Sequence, residues 1–296
     1  MSDKPVIIGF GELLWDLLPA GAQLGGAPGN FAYHAHVLGA EVHIVSAIGD
    51  DDLGQRALDQ LRAVGLDTRF ISTLKTHPTG TVPITLNANG QPSYTIVENV
   101  AWDMILCSPE LLALAARADA VCYGSLAQRS PVSRDTLRQF LAATRPDCLR
   151  IFDINLRPPH FTSEVVLDSL ATATLFKLND EELPQLAAML GCASDEPEVF
   201  AHLFAHYPLQ TIALTRGANG ATLVTRDHRH DLPGQPPEHL ADTVGAGDSF
   251  TAALVTSLLA GHSLAEAGTR AIRHASYVCS QPGAMPEMGA FLARAK

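Results

Sequence analysis

The chain has 296 residues, of which 47% are hydrophobic and 17% charged, so it can bury a large core and still keep a cleft. Its net charge of −11 and its 20 basic residues, which form no run, argue against a nucleic-acid partner and favour a small polar substrate. No apolar run reaches the roughly 18 residues of a membrane helix, and the N-terminus lacks the build of a signal peptide. We therefore expect a cytoplasmic protein with no nucleic-acid and no membrane partner.

Cysteine and histidine spacings indicate neither a disulfide framework nor a metal centre. The five cysteines are scattered without a C-x-x-C pair, and none of the twelve histidines has a partner at metal-ligand spacing. A dinucleotide fingerprint also fails, because Gly9-Phe10-Gly11 is followed by Leu14 where the third glycine is required.

In chain order, short β-branched apolar runs alternate with helical stretches. The predicted strands are Val6–Phe10, Val42–Ala47, Ala120–Tyr123, Leu149–Ile154, Thr174–Leu178 and Thr211–Thr215. The predicted helices are Gly29–Leu38, Asp52–Val64, Pro109–Arg117, Ser133–Ala143, Glu164–Ala171, Glu181–Leu190, Glu196–His206 and two more from Gly245 to about Ser280, broken at Gly261. Repeated strand–helix–strand units predict an α/β fold with a mostly parallel central sheet and helices on both faces.

One stretch departs from this alternation and predicts a small second sheet. Thr79–Leu86 and Pro92–Val97 are β-rich and are separated by the turn sequence Asn87–Gln91. With Leu13–Leu18 they would form a β-sheet lid over one end of a single domain spanning residues 1–296. The lid would comprise approximately residues 12–24 and 76–100.

The strongest chemical signal is Asp242-Thr243-Val244-Gly245-Ala246-Gly247-Asp248, which precedes an apolar helix. Small residues at Gly245, Ala246 and Gly247 allow close approach of a ligand, and their N–H groups at a helix N-terminus suit an anion. A carboxylate at Asp248 would accept the proton of an attacking hydroxyl. The alternative is a glycine-rich turn whose aspartate caps the helix.

This loop resembles the second signature of the ribokinase-like (PfkB-type) carbohydrate kinases. The first signature of that family is matched by Gly25-Gly26-Ala27-Pro28-Gly29-Asn30, followed by Gly39 and Gly49. The resemblance covers essentially the whole chain and implies a ribokinase-like fold and ATP-dependent phosphorylation of a sugar. Within the family, the chain looks most like the bacterial fructokinases.

The resemblance also implies a nucleotide site. Asn179-Asp180-Glu181-Glu182 matches the N-x-x-E motif, in which Asn179 and Glu182 help to place Mg²⁺, through water at Glu182, and the phosphates of ATP. Thr215, Gly217 and Gly220 fall in a turn that resembles the family's nucleotide-phosphate turn. Read without the family, the first motif is a helix cap and the second a hairpin turn.

For the sugar site, the resemblance implies Asp16, Gly26 and Asn30, with Tyr94 and Glu98 from the lid. Arg157, in Asp153-Ile154-Asn155-Leu156-Arg157-Pro158, would meet a phosphate or a sugar oxygen at the carboxyl end of a strand. An Asp153–Arg157 structural pair is the competing interpretation.

Fructose is the substrate that the resemblance favours, with 2-keto-3-deoxygluconate and ribose as rivals and a non-catalytic sugar-binding regulator as a different class. Asp242, Val244 and Gly283 resemble a K⁺ site of the family. Family members often pair their lids, so a homodimer is also expected.

Overall fold

The computed structural model describes residues 4–18, 21–86 and 92–294 of the chain. In these ranges the strands are β1 (Val6–Phe10), β2 (Leu14–Leu18), β3 (Gly21–Gly25), β4 (Glu41–Gly49), β5 (Ile71–Leu74), β6 (Gly80–Leu86), β7 (Pro92–Tyr94), β8 (Ala120–Tyr123), β9 (Leu149–Asp153), β10 (Leu175–Asn179), β11 (Thr211–Thr215), β12 (Ala221–Val224) and β13 (Arg229–Leu232). The helices are α1 (Ala27–Val37), α2 (Asp52–Ala63), α3 (Pro109–Ala115), α4 (Pro131–Ala142), α5 (Ser163–Thr172), α6 (Leu183–Leu190), α7 (Glu196–His206), α8 (Ala246–Leu259), α9 (Leu264–Cys279) and α10 (Gly289–Arg294). None of these helices is long and apolar enough to cross a membrane.

A large sheet forms the centre of the molecule. Among the described residues its strand order is β13-β12-β11-β10-β9-β8-β1-β4-β5, and all neighbours pair in parallel except β11 with β12 and β12 with β13. The predicted α/β fold with a mostly parallel sheet is confirmed. Because the strands run in the same direction from β11 to β5, their carboxyl ends line up along one edge, where ligands bind in open α/β sheets.

Helices cover both faces of the large sheet. Successive side chains of a strand point to opposite faces, so Ile7 packs into one core with α1, α2, α8 and α9. The neighbouring Ile8 packs into the other core with α3 to α7. Burial on both faces explains why all five residues of β1 are buried and why the central strands read as continuous apolar runs.

The small second sheet is confirmed and has the strand order β3-β2-β6-β7. Strand β2 pairs in parallel with β6 and antiparallel with β3. Strand β3 is not among the predicted strands. Its sequence is bounded by glycines and has no apolar pattern. The predicted turn Asn87–Gln91 lies outside the described residues.

Several element boundaries differ from the predicted ones for local reasons. Helices α1 and α4 begin two residues earlier than predicted, at Ala27 and Pro131, and each has a proline in its first positions, where no N–H is needed. Helix α6 begins at Leu183 instead of Glu181. The edge strand β13 and the short strand β5 were also missed, and β13 is too polar for an apolar pattern.

A buried ion pair fixes the segment that follows the small sheet. Arg129 donates from Nε and Nη2 to the two carboxylate oxygens of Asp103, both at 2.8 Å, and from Nη2 to the Val97 carbonyl at 2.6 Å. Its guanidinium also lies over the ring of Trp102, with Cζ 4.0 Å from the ring centroid. Both charged side chains are only 9% exposed. Arg129 therefore ties the chain leaving β7 to the main domain.

We predict that Arg129→Met lowers the free energy of unfolding by about 3–5 kcal/mol, because it leaves the Asp103 carboxylate buried without its partner. The matched control is Arg62→Met, which removes an exposed pair with Asp59 whose side chains are 53% and 62% exposed, and should cost under about 1 kcal/mol. Urea unfolding measures both values. Equal losses in the two variants would contradict this account of Arg129.

Candidate active site

The amino end of α8 is built by a glycine that no other residue can replace. Gly245 precedes α8 with φ of 75°, and a Cβ at this position would lie 2.7 Å from the Ala284 side chain. The helix starts with the hydrogen bond from Ser249 N to the Gly245 carbonyl at 2.8 Å. This geometry leaves the N–H groups of Gly245 and Gly247 at a helix N-terminus, an arrangement that suits an anion. The third predicted donor, the Ala246 N–H, instead donates to the Thr243 carbonyl at 3.2 Å.

The two glycine-rich motifs meet through one hydrogen bond. Asn30 on α1 donates from Nδ2 to Asp248 Oδ2 at 2.8 Å, although the residues are 218 positions apart. Asn30 reaches this position because α1 starts at Gly26, whose φ is 110° and whose Cβ, if present, would collide with the Glu12 carbonyl oxygen. The structure thus brings Gly26, Asn30 and Asp248 together.

Acidic groups dominate the space around Asp248. Burial, followed by the nearby negative charge of Asp153, raises the pKa of Asp248 to about 6, while the Asn30 hydrogen bond and the cations Lys177 and Arg157 act in the opposite direction. Glu12 is 3% exposed, and burial together with the Asp248 charge raises its pKa to about 7. Asp248 is therefore a carboxylate whose proton affinity is tuned close to neutral pH, as general bases require.

Arg157 is a second cation whose charge acts on this acidic group. Its charge acts on Glu12 and Asp248, and it also offsets the burial that raises the pKa of Asp16. Asp16 lies on β2 opposite Gln23 of β3, and its Oδ2 would be 2.8 Å from a Cβ at Gly25. The competing interpretation, an Asp153–Arg157 structural pair, is wrong, because Asp153 pairs with Lys177 instead.

A groove of about 720 Å³ runs between residues 94–98 and residues 156–160. Tyr94 is 63% exposed and Arg157 lies on the opposite wall. Glu98 faces His160, with Oε1 3.4 Å from Nδ1. A pocket of about 490 Å³ adjoins the groove and shares Glu98, Pro159 and His160 with it. Tyr94, Glu98 and Arg157 therefore line one open depression, whereas Asp16 is not among the residues that line it.

Asn179 and Glu182 bind each other's backbone at the carboxyl end of β10. Asn179 Oδ1 accepts from Glu182 N at 2.9 Å, and Glu182 Oε2 accepts from Asn179 N at 2.8 Å. The other carboxylate oxygen accepts from Leu156 N at 3.0 Å. This reciprocal arrangement is the reason that α6 starts at Leu183. It also joins the 179–182 motif to the segment that carries Arg157.

The turn between β11 and β12 lies beside the 179–182 motif. The Thr215 carbonyl accepts from Asp180 N at 3.1 Å, and Gly217 and Gly220 have φ of 51° and 94°. Arg216 points away to Glu196 and Thr222. The turn does close an antiparallel hairpin, so the hairpin interpretation describes its backbone correctly.

Asp242 binds the backbone of the two other residues that resemble a K⁺ site, Val244 and Gly283. Its Oδ1 accepts from Val244 N at 3.0 Å, and its Oδ2 accepts from Gly283 N at 3.2 Å. Val244 is 48% exposed. The segment around Gly283 continues into Ala284, against which Gly245 packs, so Asp242 links this segment to the turn before α8.

Two functional candidates were missed by the sequence analysis. Lys177 is a buried cation on β10, with Nζ 3.1 Å from Asp153 Oδ1. Glu12 is a buried acid directly after β1 and Gly11. Each could have been noticed as a charged residue within or next to an otherwise apolar strand, which is a costly place for a charge without a purpose.

Comparison with known proteins agrees with this geometry. The model of the pfkB family of carbohydrate kinases matches residues 20–288. Fructokinase-2 of Oryza sativa is 30% identical over 282 residues, which cover 89% of this chain and 82% of that protein.

Two solved structures share the fold. An uncharacterised sugar kinase from Pyrococcus horikoshii in complex with ATP is 26% identical, with a TM-score of 0.80 over 94% of each chain. Fructokinase with bound ATP from Xylella fastidiosa has a TM-score of 0.83 over 97% of each chain at 22% identity. The chain therefore belongs to the pfkB family of carbohydrate kinases.

Proposed function

We propose that this sugar kinase transfers the γ-phosphoryl group of ATP to D-fructose, giving fructose 6-phosphate, with Asp248 as the base. The observation that carries the proposal is the position of the Asp248 carboxylate. It lies in the first turn of α8, held by Asn30 and next to the backbone N–H groups of residues 245–247. Base and anion hole are thus fixed within one helical turn.

The transfer requires one proton to move and one P–O bond to be exchanged. The sugar hydroxyl oxygen attacks the γ-phosphorus, the bond from that phosphorus to the β–γ bridging oxygen breaks, and ADP leaves. Asp248 Oδ2 is occupied by Asn30, so Oδ1 takes the proton. With a pKa of about 6, Asp248 is mostly ionised at neutral pH and ready to accept it. The amides of Gly245 and Gly247 would stabilise the charge on the transferring group, and the Ala246 amide would join them only after leaving the Thr243 carbonyl.

The sugar would lie between the two sheets. Asp16, Asn30 and the backbone at Gly26 would bind its hydroxyls, Tyr94 and Glu98 would close over it from the lid, and Arg157 would orient it. The placement of Tyr94, Glu98 and Arg157 along the open groove supports their part of this assignment. Closure of the small sheet, formed approximately by residues 12–24 and 76–100, would exclude water and limit ATP hydrolysis.

The nucleotide would bind along the carboxyl ends of β10 and β11, with its phosphates directed at α8. Thr215, Gly217 and Gly220 would contact ATP, and Asn179 and Glu182 would place Mg²⁺. When bound, Mg²⁺ would offset the charge of the phosphates. Backbone N–H groups hold both Glu182 oxygens in place, and the contact is proposed to run through water because Mg²⁺ usually keeps several waters in phosphate sites.

We assign fructose as the substrate because similar proteins carry that activity in their names. Those of Oryza sativa and Arabidopsis thaliana, 30% and 29% identical to this chain, are named fructokinase-2 and probable fructokinase-2. We predict that the purified protein with ATP and Mg²⁺ has a higher kcat/KM for fructose than for any other member of a sugar and nucleoside panel. Coupled detection of ADP measures it.

A higher kcat/KM for 2-keto-3-deoxygluconate or ribose would transfer the assignment to that sugar. If no compound in the panel supports turnover but one binds in calorimetry, the protein is a sugar-binding regulator and the kinase proposal is wrong.

We also propose that K⁺ binds at Asp242, Val244 and Gly283. The position of Asp242 suits a cation, because its carboxylate holds both backbone segments and each oxygen accepts only one hydrogen bond from them. A bound cation would steady the loop behind Gly245. Replacing tetramethylammonium with K⁺ at constant ionic strength should therefore raise kcat several-fold in the wild type and leave Asp242→Asn unchanged. An identical kcat in both salts would exclude the site.

A homodimer paired through the small sheets is a further proposal. In the described ranges, β3 and β7 are the edges of that sheet, and edge strands offer unpaired backbone groups to a second copy. Sedimentation equilibrium would give the mass of the assembly, and a monomeric mass would reject the homodimer.

A cytoplasmic location stays a prediction from the sequence.

A further inference from the structure

Lys177 lies directly beneath the backbone of the anion hole. It is the third residue of β10, its side chain is 8% exposed, and its Nζ would be 3.1 Å from a Cβ at Gly247. Gly247 lacks a side chain, so nothing separates the ammonium group from the first turn of α8. A buried lysine at this point places a full positive charge under the backbone that we assign to the transferring phosphoryl group.

Asp153 fixes this charge and ties it to the same helix. Its Oδ1 is 3.1 Å from Lys177 Nζ, and its Oδ2 accepts from Thr251 Oγ1 of α8 at 3.2 Å. Thr251 Oγ1 is also 3.0 Å from the Gly247 carbonyl. The pair therefore spans β9, β10 and the first turn of α8, and it holds the ammonium at a defined position relative to Asp248.

Little solvent screens these charges. Asp153, Asp248 and Thr251 line a shared cavity of only about 10 Å³, no more than the room of a single water molecule. Burial alone would favour the neutral amine, but the charges of Asp153, Glu182 and Asp248 hold the pKa of Lys177 above its ordinary value. Lys177 therefore stays charged throughout the pH range in which Asp248 titrates.

We propose that Lys177 is a positioning residue of the phosphoryl-transfer centre: its ammonium, set by Asp153 beneath the first turn of α8, offsets the negative charge that Asp153 places beside Asp248. This role rests on the proposed function of Asp248 as the base. It accounts for the choice of a charged pair here, because burying two charges brings little net stability over an apolar pair of the same volume.

The two members of the pair act on Asp248 with opposite signs. Lys177 and Arg157 lower its pKa, whereas Asp153 raises it, and the hydrogen bond from Asn30 lowers it. Two further groups face Asp248, namely Glu12 after β1 and the Cys122 thiol of β8. Removing Lys177 should raise the pKa of Asp248, and neutralising Asp153 should lower it. A merely structural role is distinguished by the pH profile of kcat/KM, which would not move with the Asp248 pKa in that case.

The experiment compares Lys177→Met, Lys177→Arg and Asp153→Asn with the wild type. Lys75 is exposed, so Lys75→Met is the control that removes one positive charge elsewhere. The pKa of the Asp248 carboxyl is followed by ¹³C NMR without sugar or ATP, and its resonance is assigned by its loss in Asp248→Asn. The pH dependence of kcat/KM is then measured with the best sugar of the panel.

In Lys177→Met we expect the Asp248 pKa to rise by about one unit, which lowers kcat/KM about fivefold at pH 6 and hardly at pH 8 through ionisation alone. Asp153→Asn should shift the pKa downwards, and Lys177→Arg and Lys75→Met should leave it near the wild-type value.

Unchanged Asp248 titration in Lys177→Met, or shifts in the same direction for Lys177→Met and Asp153→Asn, would overturn the proposal. If Lys177→Met does not fold, Asp153→Asn and Lys177→Arg decide it, since an unshifted pKa in Asp153→Asn would reject it. Because the NMR titration requires no turnover, a failed sugar panel would refute the proposed function without affecting this result.

Discussion

The hydrogen bond between Asn30 and Asp248 is the contact on which the arrangement of the centre depends. It joins the first turn of α1 to the first turn of α8, and these helices also pack against each other over the large sheet. Both helices begin at glycines with positive φ, Gly26 and Gly245, which let the backbone turn sharply at the carboxyl edge of the sheet. A side chain at Gly26 would meet the Glu12 carbonyl and one at Gly245 would meet Ala284, so either would disturb the turn that sets its helix end.

The same packing of helix ends and strand ends brings several carboxylates together, and their burial sets the electrostatics of the centre. Glu12, Asp153, Glu182 and Asp248 are brought close together, and burial raises the pKa of Glu12, Glu182 and Asp248. Arg157 and Lys177 offset this accumulation of negative charge from opposite sides. A phosphoryl-transfer centre built in this way takes much of its positive charge from helix-end amides and from the metal that accompanies the nucleotide, with few fixed cations of its own.

Much of the fold could be predicted from the sequence. Strands β1, β8 and β11 were predicted to the residue, because continuous apolar runs mark strands buried on both faces. Strands β3 and β13 could not be, since one is bounded by glycines and the other is polar, and both are held by pairing with a neighbouring strand. Pairing between distant segments leaves no periodic pattern in either segment.

The motifs predicted which residues meet at the site better than they predicted which side chains bind each other. Asp242, Val244 and Gly283 do come together, and Asn179 and Glu182 face each other. However, the sequence offered Asp153 only Arg157, four residues along the chain, as an alternative structural partner, and its actual partner is Lys177 on the adjacent strand. The choice depends on the register of β9 against β10, which local sequence does not contain.

The most direct test of the central claim, that Asp248 is the base, is the kcat of Asp248→Asn at saturating ATP and sugar. The account predicts a loss of about 10²–10⁴-fold, with the Kd for the sugar in calorimetry within a few-fold of the wild type and with Asp227→Asn, an exposed aspartate, fully active. An Asp248→Asn protein with wild-type kcat would show that the proton goes elsewhere and would contradict the account.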